Sequence, residues 1–208
     1  MKHWIGFAVV IVLAVIAMFA LSRTDTGPAA GPATGGPGSG PPTAGQDSWR
    51  QDVDASVDAG VAFLMGRQQE NGAWMEHPAV TSLACTAIAN SGELSEAEED
   101  AVNRGQDYVK TFLQDDGSIW NAESEQYPNY STAVSLIAFA VVDRPQDQAL
   151  LRAARGFILG SQFKDEAADG VFYGGIGYGK QLRPDLSNTQ WALEALYLTD
   201  HLDREPAT

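Results

Sequence analysis

The 208-residue chain has one cysteine, three histidines and far fewer basic than acidic residues. A single cysteine cannot form a disulfide within the chain, so a folded domain must be held together by its apolar core. The histidines, His3, His77 and His201, have no spacing typical of a metal site, and we expect no metal or other cofactor. A net charge of −14 argues against binding to nucleic acid.

The N-terminal residues are typical of a targeting segment. Lys2 precedes an uncharged apolar run, Trp4 to Leu21, which as a helix of about 27 Å is long enough to cross a bilayer. We interpret residues 1–23 as an uncleaved signal anchor, with a cleaved signal peptide as the alternative. The anchor predicts a single-pass membrane protein whose remaining part lies on the extracytoplasmic side, whereas cleavage would release a secreted protein.

Residues 24–46 differ abruptly in composition from the segments on either side. They consist mainly of Gly, Pro, Ala and Thr, with almost no large side chains. Such a segment cannot bury enough apolar surface to offset the entropy lost on ordering, so we interpret it as a linker. Residues 47–208 are then of a size typical for a single domain.

An internal repeat organises this domain. Thr81, Thr132 and Thr189 each begin an apolar run that has a small residue three positions later and an alanine six positions later. The segment from Tyr130 to Ala140 is the middle copy. Cys85 lies at an apolar position of the first copy, which predicts a buried structural thiol rather than a nucleophile.

A second pattern precedes the first two runs. A glutamine is followed three residues later by glycine and then by tryptophan, and apolar residues precede it at helical spacing. The two sets are Gln69, Gly72 and Trp74, and Gln114, Gly117 and Trp120. The third copy has Gln162 followed by a longer glycine-rich loop in place of the compact turn. Each repeat therefore predicts helix, glycine turn, helix, as in an α-helical repeat array.

The segments RQQENGAW and LQDDGSIW resemble the QW repeats of the squalene cyclase and prenyltransferase β-subunit superfamily. The segment GGIGYGKQLRPDLSNTQWALEALY resembles the glycine loop and the following inner helix of the same superfamily. The resemblance implies an all-α partial (α/α) toroid of about three helix pairs, in which the glutamines tie helix ends together. It places outer helices at about 51–67, 98–113 and 147–161, and inner helices at about 79–90, 130–142 and 187–199.

The chain lacks residues that carry the chemistry of this superfamily. It has no D-x-D-D acid motif, and in the segment that resembles the zinc-binding D-x-x-H-T of prenyltransferases, Asp185 to Thr189, Asn188 replaces the histidine. Three helix pairs are also fewer than a complete barrel needs. Because an open ring leaves an apolar edge in water, we expect a homo-oligomer or a second chain that completes the ring.

The residues expected near the concave side are candidates for ligand binding. They are His77, Tyr130, Asp185, Asn188 and Trp191, with helix capping as the alternative for the polar ones and core packing for the aromatic ones. We expect a membrane-anchored, exported and non-catalytic domain that binds a hydrophobic, isoprenoid-like ligand or a protein partner. The alternative is a component of a terpenoid cyclase or prenyltransferase that another chain completes.

Overall fold

The structure, a computed structural model, describes residues 44–124, 127–164, 171–179 and 182–203. These ranges form six α-helices and two short 3-10 helices, and they contain no strand, so the predicted all-α class is confirmed. The chain divides into two compact units, Met1–Gly66 and Arg67–Thr208, which are described separately.

The helices follow the order predicted from the repeats. The first unit contributes α1 (Ala44–Met65). The second unit contains α2 (Pro78–Ala89), α3 (Glu96–Lys110), α4 (Pro128–Val142), α5 (Gln148–Gly160) and α6 (Leu186–Leu198), with 3-10 turns at Pro145–Asp147 and Asp200–Asp203. Only the start of α1 differs markedly, because it lies inside the predicted linker. The first turn of a helix carries no apolar periodicity that would mark it in the sequence.

The second unit is built around a row of three neighbouring helices. We call α2, α4 and α6 the inner helices and α3 and α5 the covering helices. The helix α4 lies between α2 and α6, while α3 packs on α2 and α5 packs on α4. Small residues bring the inner helices close together, since the hydroxyl oxygens of Ser82 and Ser135 are 2.9 Å apart. The middle helix is therefore buried continuously from Ser131 to Phe139.

Local signals fix the ends of the helices. A capping box begins α3, because the Glu98 amide donates to Ser95 Oγ (3.4 Å) and the Ser95 amide donates to the Glu98 carboxylate (2.8 Å). The hydrogen bond from the Ser95 hydroxyl lowers the pKa of the Glu98 carboxyl. At the end of α4, Asp143 adopts a left-handed conformation with φ 49°, immediately before Arg144 and Pro145.

The glycine turn occurs three times with the same two backbone hydrogen bonds. In the first turn, the Gln69 amide donates to the Ala73 carbonyl (2.9 Å) and the Gly72 amide to the Gln69 carbonyl (2.9 Å). In the second, the Gln114 amide donates to the Ser118 carbonyl (2.8 Å) and the Gly117 amide to the Gln114 carbonyl (3.0 Å). In the third, the Phe163 amide donates to the Gly175 carbonyl and the Gly174 amide to the Phe163 carbonyl (both 2.8 Å). The φ angles of Gly72, Gly117 and Gly174 are 86°, 85° and 79°, in the left-handed region that favours glycine. As predicted, a longer glycine-rich loop replaces the compact turn in the third repeat, because residues 164–173 separate Phe163 from Gly174 where only residues 70–71 separate Gln69 from Gly72. The two hydrogen bonds that close the turn are nevertheless kept.

The two turn glutamines make different contacts. Gln114 donates from Nε2 to the carbonyl oxygens of Phe112 (2.9 Å) and Trp120 (3.2 Å), and so ties its own turn. In the first turn, Gln69 is exposed. The tie comes instead from Gln68, whose Nε2 donates to the carbonyl oxygens of Gly72 (3.1 Å) and, on α3, of Ala101 (2.7 Å).

The repeated threonines fasten the glycine turns to the inner helices. Each threonine hydroxyl accepts a hydrogen bond from a buried residue just after the turn glycine. The bonds run from the Trp74 amide to Thr81 (3.0 Å), from the Ile119 amide to Thr132 (2.9 Å) and from the Ile176 amide to Thr189 (3.1 Å). Trp74 is therefore equivalent to Ile119, and Trp120 lies one position further along. The threonine pattern seen in the sequence has this structural cause.

Among the helices of the described ranges, none is both long enough and apolar enough to cross a membrane. The predicted signal anchor, residues 1–23, and most of the predicted linker lie outside these ranges.

Candidate functional site

One face of α6 differs from the equivalent faces of the other inner helices. By distance from the repeated threonines, Leu193 is equivalent to Cys85 on α2 and to Leu136 on α4. Cys85 and Leu136 are fully buried, whereas Leu193 is 61% exposed. Leu186 and Tyr197 lie on the same side of α6 at helical spacing and are 90% and 70% exposed. We call Leu186, Leu193 and Tyr197 the open face.

On α2, the equivalent face is covered through a small residue of α3. A Cβ atom added to Gly105 would lie 2.5 Å from Cys85 Sγ and 2.9 Å from the Trp74 ring. The Cys85 thiol makes a long, weak hydrogen bond to the Val102 carbonyl, at 3.7 Å. On α5, Ala154 takes the position equivalent to Gly105 and is fully buried. Each covering helix thus carries a buried Gly or Ala at this repeat position.

The covering helices also close over the glycine turns. A Cβ atom at Gly72 would lie under 3.0 Å from the Arg104 carbonyl oxygen, and one at Gly117 equally close to the Ala153 carbonyl oxygen. Gly174 has the same conformation, yet a Cβ atom there would meet no described atom within 4 Å. In the part of the chain that the structure describes, the third repeat therefore has no covering helix.

Each covering helix is also fastened to the next inner helix by a long polar side chain. Gln106 on α3 donates from Nε2 to the Ala138 carbonyl on α4 (3.0 Å). Arg155, the next residue after Ala154 on α5, donates to the Leu196 carbonyl on α6 (2.7 Å) and pairs with Asp203. A covering helix therefore joins two inner helices.

The cysteine lies within this packing and not in a reactive environment. Burial raises the pKa of the Cys85 thiol to about 12. A thiol with so high a pKa is almost entirely protonated at neutral pH and is a poor nucleophile. The predicted structural role of Cys85 is confirmed.

A second candidate site lies where the glycine-rich loop meets the start of α4. The Tyr178 ring centroid is 5.0 Å from that of Tyr127 and 6.1 Å from that of Tyr130. Asn129 binds the same loop, because its Nδ2 donates to the Gly177 carbonyl (3.0 Å). Asn129 is only 1% exposed, and its Oδ1 has no hydrogen-bond donor among the described residues. The predicted ligand residue Tyr130 thus lies beside a buried polar group.

Asp185 and Asn188 meet at the start of α6. The Asp185 carboxylate accepts hydrogen bonds from the backbone amide (2.9 Å) and from the Nδ2 (2.7 Å) of Asn188, which confirms the capping interpretation. Asn188 Oδ1 is also buried without a donor in the described ranges. An unsatisfied buried acceptor costs about 1–3 kcal/mol, so this end of the unit would gain from a water or ligand that donates a hydrogen bond.

The remaining two candidates are His77 and Trp191. His77 caps α2, since its Nδ1 accepts from the Ala79 amide (3.2 Å), as the capping alternative predicts. Trp191 is half-buried in the middle of α6. A ligand-binding role for either residue stays a prediction.

Two buried arginines were missed in the sequence. Arg144 donates from Nε to Asp147 (2.6 Å) and from Nη2 to Asp107 (3.1 Å), and Lys110 also pairs with Asp147. Arg155 lies on the apolar side of α5. For Arg155, the available signal in the sequence was a charged residue among apolar helical positions, but the sequence could not show its partner.

Within the described ranges, no group of three or more His, Cys, Asp and Glu side chains could hold a metal ion. The chain matches no protein-family model, no curated protein and no solved structure. Similarity to the QW-repeat superfamily therefore stays a prediction from the sequence.

Proposed function

We propose that this chain is a non-catalytic helical-repeat binding protein that accepts a helix of a protein partner on its open face. The observation that supports this proposal is the exposure of Leu193 at a repeat position that is fully buried in the other two inner helices. Burying a leucine side chain contributes about 1.5–3 kcal/mol. Because Leu193 is 61% exposed, a partner that covers the open face would gain a part of this energy.

The internal helix pairs indicate what such a partner looks like. The helix α3 approaches α2 through Gly105, and α5 carries the buried Ala154 at the equivalent repeat position. A partner helix should therefore carry glycine or alanine opposite Leu193, because a larger residue would hold the helices apart.

We further propose that residues 1–23 anchor the protein in the membrane and that residues 24–46 form a spacer to the exported helical domain. The strongly negative charge suits a solvated domain surface. A terpenoid cyclase or prenyltransferase component would use the same open face, because the completing chain would dock there. Turnover of squalene or a prenyl diphosphate only after that chain is added would establish this alternative.

Site-specific photo-crosslinking tests the proposed docking face. Leu193 is replaced by benzoylphenylalanine in the full-length chain, which is irradiated in cells of its source organism. Leu159 on α5 provides the control, because it is 40% exposed but lies outside the open face. We expect Leu193→benzoylphenylalanine to give a product that maps to a helix with a small residue at the contact, and the control to give none. Equal labelling from both positions, or none from position 193, would refute the proposal.

The orphaned carboxamides favour a second candidate function, binding of a small ligand. Asn129 Oδ1 and Asn188 Oδ1 are acceptors, and the tyrosines beside Asn129 offer an aromatic surface. The ligand class is an apolar molecule with a hydroxyl or amine donor, which an isoprenoid alcohol would satisfy. Native mass spectrometry of the full-length protein should show one such molecule bound, and Asn129→Leu should lose it. Protein purified without any bound organic molecule would contradict this candidate.

A further inference from the structure

We infer that the helix that covers the open face is α1 of a second copy of this chain, so that copies associate head to tail. The inference rests on the proposed function and names its partner. It follows from the register of the internal repeat, which predicts the residues that a covering helix must present.

The helix α1 presents these residues at the expected positions. Gly60 lies as far before Gln69 as Gly105 lies before Gln114, and the two glutamines form the same turn hydrogen bonds. Val57 likewise corresponds to Val102, a buried residue of α3. By sequence register, α1 is therefore a covering helix.

The small residue of α1 is free to make the contact. Gly60 is exposed, and a Cβ atom added there would meet no described atom within 4 Å. Open space around a glycine does not by itself mark a contact site, because a Cβ atom added to Gly156 on α5 would also meet no described atom within 4 Å. Gly60 differs in lying at the repeat position where Gly105 contacts Cys85.

The glycine turn before α6 also has the conformation that this contact needs. In the two internal pairs, the residue before the small residue closes its carbonyl over the glycine turn. Ala59 holds that position in α1 and is exposed. When α1 is placed on α6 as α3 lies on α2, Gly60 meets Leu193 and the Ala59 carbonyl closes over Gly174. The left-handed conformation of Gly174 already matches that of the covered turns.

Such a contact uses different surfaces of the two copies, so it produces either a closed ring or an open chain of copies. Each copy carries a net charge of −14, and the copies therefore repel one another. Because salt screens this repulsion, association should strengthen as ionic strength rises.

Disulfide trapping in the full-length protein tests the contact directly. One tagged chain carries Gly60→Cys and a differently tagged chain carries Leu193→Cys. In the equivalent internal pair, a Cβ atom added to Gly105 would lie 2.5 Å from Cys85 Sγ, so cysteines at the two positions should lie close enough to form a disulfide. Copper phenanthroline removes two electrons and two protons to form the S–S bond. We expect a mixed disulfide dimer, whereas Gly156→Cys mixed with Leu193→Cys should form none, because position 156 lies outside the contact.

Complementation distinguishes head-to-tail from face-to-face association. Gly60→Leu alone and Leu193→Glu alone should each abolish association in analytical ultracentrifugation, since each removes one side of every contact. An equimolar mixture should form a heterodimer through the one intact pair of surfaces. A mixture that stays monomeric, or wild-type protein that is monomeric at all salt concentrations, overturns the inference. If benzoylphenylalanine at position 193 reacts with a different protein and never with α1, the inference fails while the proposed function stands.

Discussion

The carbonyl oxygen of Ala153 on α5 lies so close to Gly117 that any side chain at position 117 would collide with it. Gly174 occupies the equivalent turn with nearly the same φ, 79° against 85°, yet no described atom lies within 4 Å of the place where its Cβ would be. Both turns favour glycine for their backbone conformation. Only the turn at Gly117 requires glycine for packing as well.

Gly117→Ala should therefore be more destabilising than Gly174→Ala. Alanine at position 174 has only the cost of the left-handed conformation, about 1–2 kcal/mol. At position 117 the methyl group must also displace α5, which adds about 1–3 kcal/mol. Urea unfolding of the two full-length variants would measure the difference, and equal losses would show that α5 does not close over the turn.

A second matched pair tests the packing of α3 on α2. Gly105→Ala should lower the free energy of unfolding by about 1–3 kcal/mol, because its methyl group would overlap Cys85 Sγ. Gly156→Ala, in an open part of α5, should instead raise it by about 0.5–1 kcal/mol, since alanine is the better helix former. Thermal melting of both variants would show opposite shifts, and a stabilised Gly105→Ala would contradict the described contact.

The Cys85 thiol should react only after the protein unfolds. Burial raises its pKa from 9.0 to about 12, so iodoacetamide at neutral pH should label the protein in urea but not in buffer. The thiol ionises in the unfolded chain from about pH 9.0, while the folded protein keeps it protonated up to about pH 12. Stability should therefore fall between these values as pH rises, and it should fall less in Cys85→Ala. Rapid labelling of the folded protein would disprove the burial.

Asp203 should contribute stability at neutral pH and lose it in acid. The hydrogen bond from Arg155 lowers the pKa of the Asp203 carboxyl below its ordinary value of 3.8. A carboxyl whose pKa is lower in the folded state stabilises the protein above the unfolded value, and this contribution disappears as pH falls through the folded value. Asp203→Asn should thus melt below wild type at pH 7, with the gap closing well below pH 3.8. Asp115→Asn, at an exposed turn, is the control for the loss of one charge.

The helices and their ends could be predicted because the signals for them are local. The capping box of Ser95 and Glu98 lies within one turn of chain, and the apolar runs after Thr81 and Thr132 share one register. The longer third loop was predicted, but the hydrogen-bonded pair that closes it was not, because residues 164–173 separate Phe163 from Gly174 and the spacing no longer marks the pair.

The candidate site was harder to predict because its contacts join distant parts of the chain. The sequence identified Asn188 by its position, but the buried Asn129 and its bond to Gly177 depend on how the glycine loop folds back on α4. The pairing of Arg155 with Asp203 likewise joins α5 to the turn after α6. The exposure of Leu193 depends on which helix covers α6, and sequence periodicity does not report that.

Ala138 on α4 offers the most direct test of the predicted central helix. It is buried, and its carbonyl accepts the hydrogen bond from Gln106 Nε2 at 3.0 Å. Ala138→Phe should overpack the interface and cost about 1–3 kcal/mol, partly by moving the carbonyl away from Gln106. Ala149→Phe, at an exposed position of α5, is the control for adding an aromatic residue to a helix. Unchanged melting of Ala138→Phe would show that α4 is not enclosed by its neighbours, whereas a loss confined to position 138 would confirm its close packing.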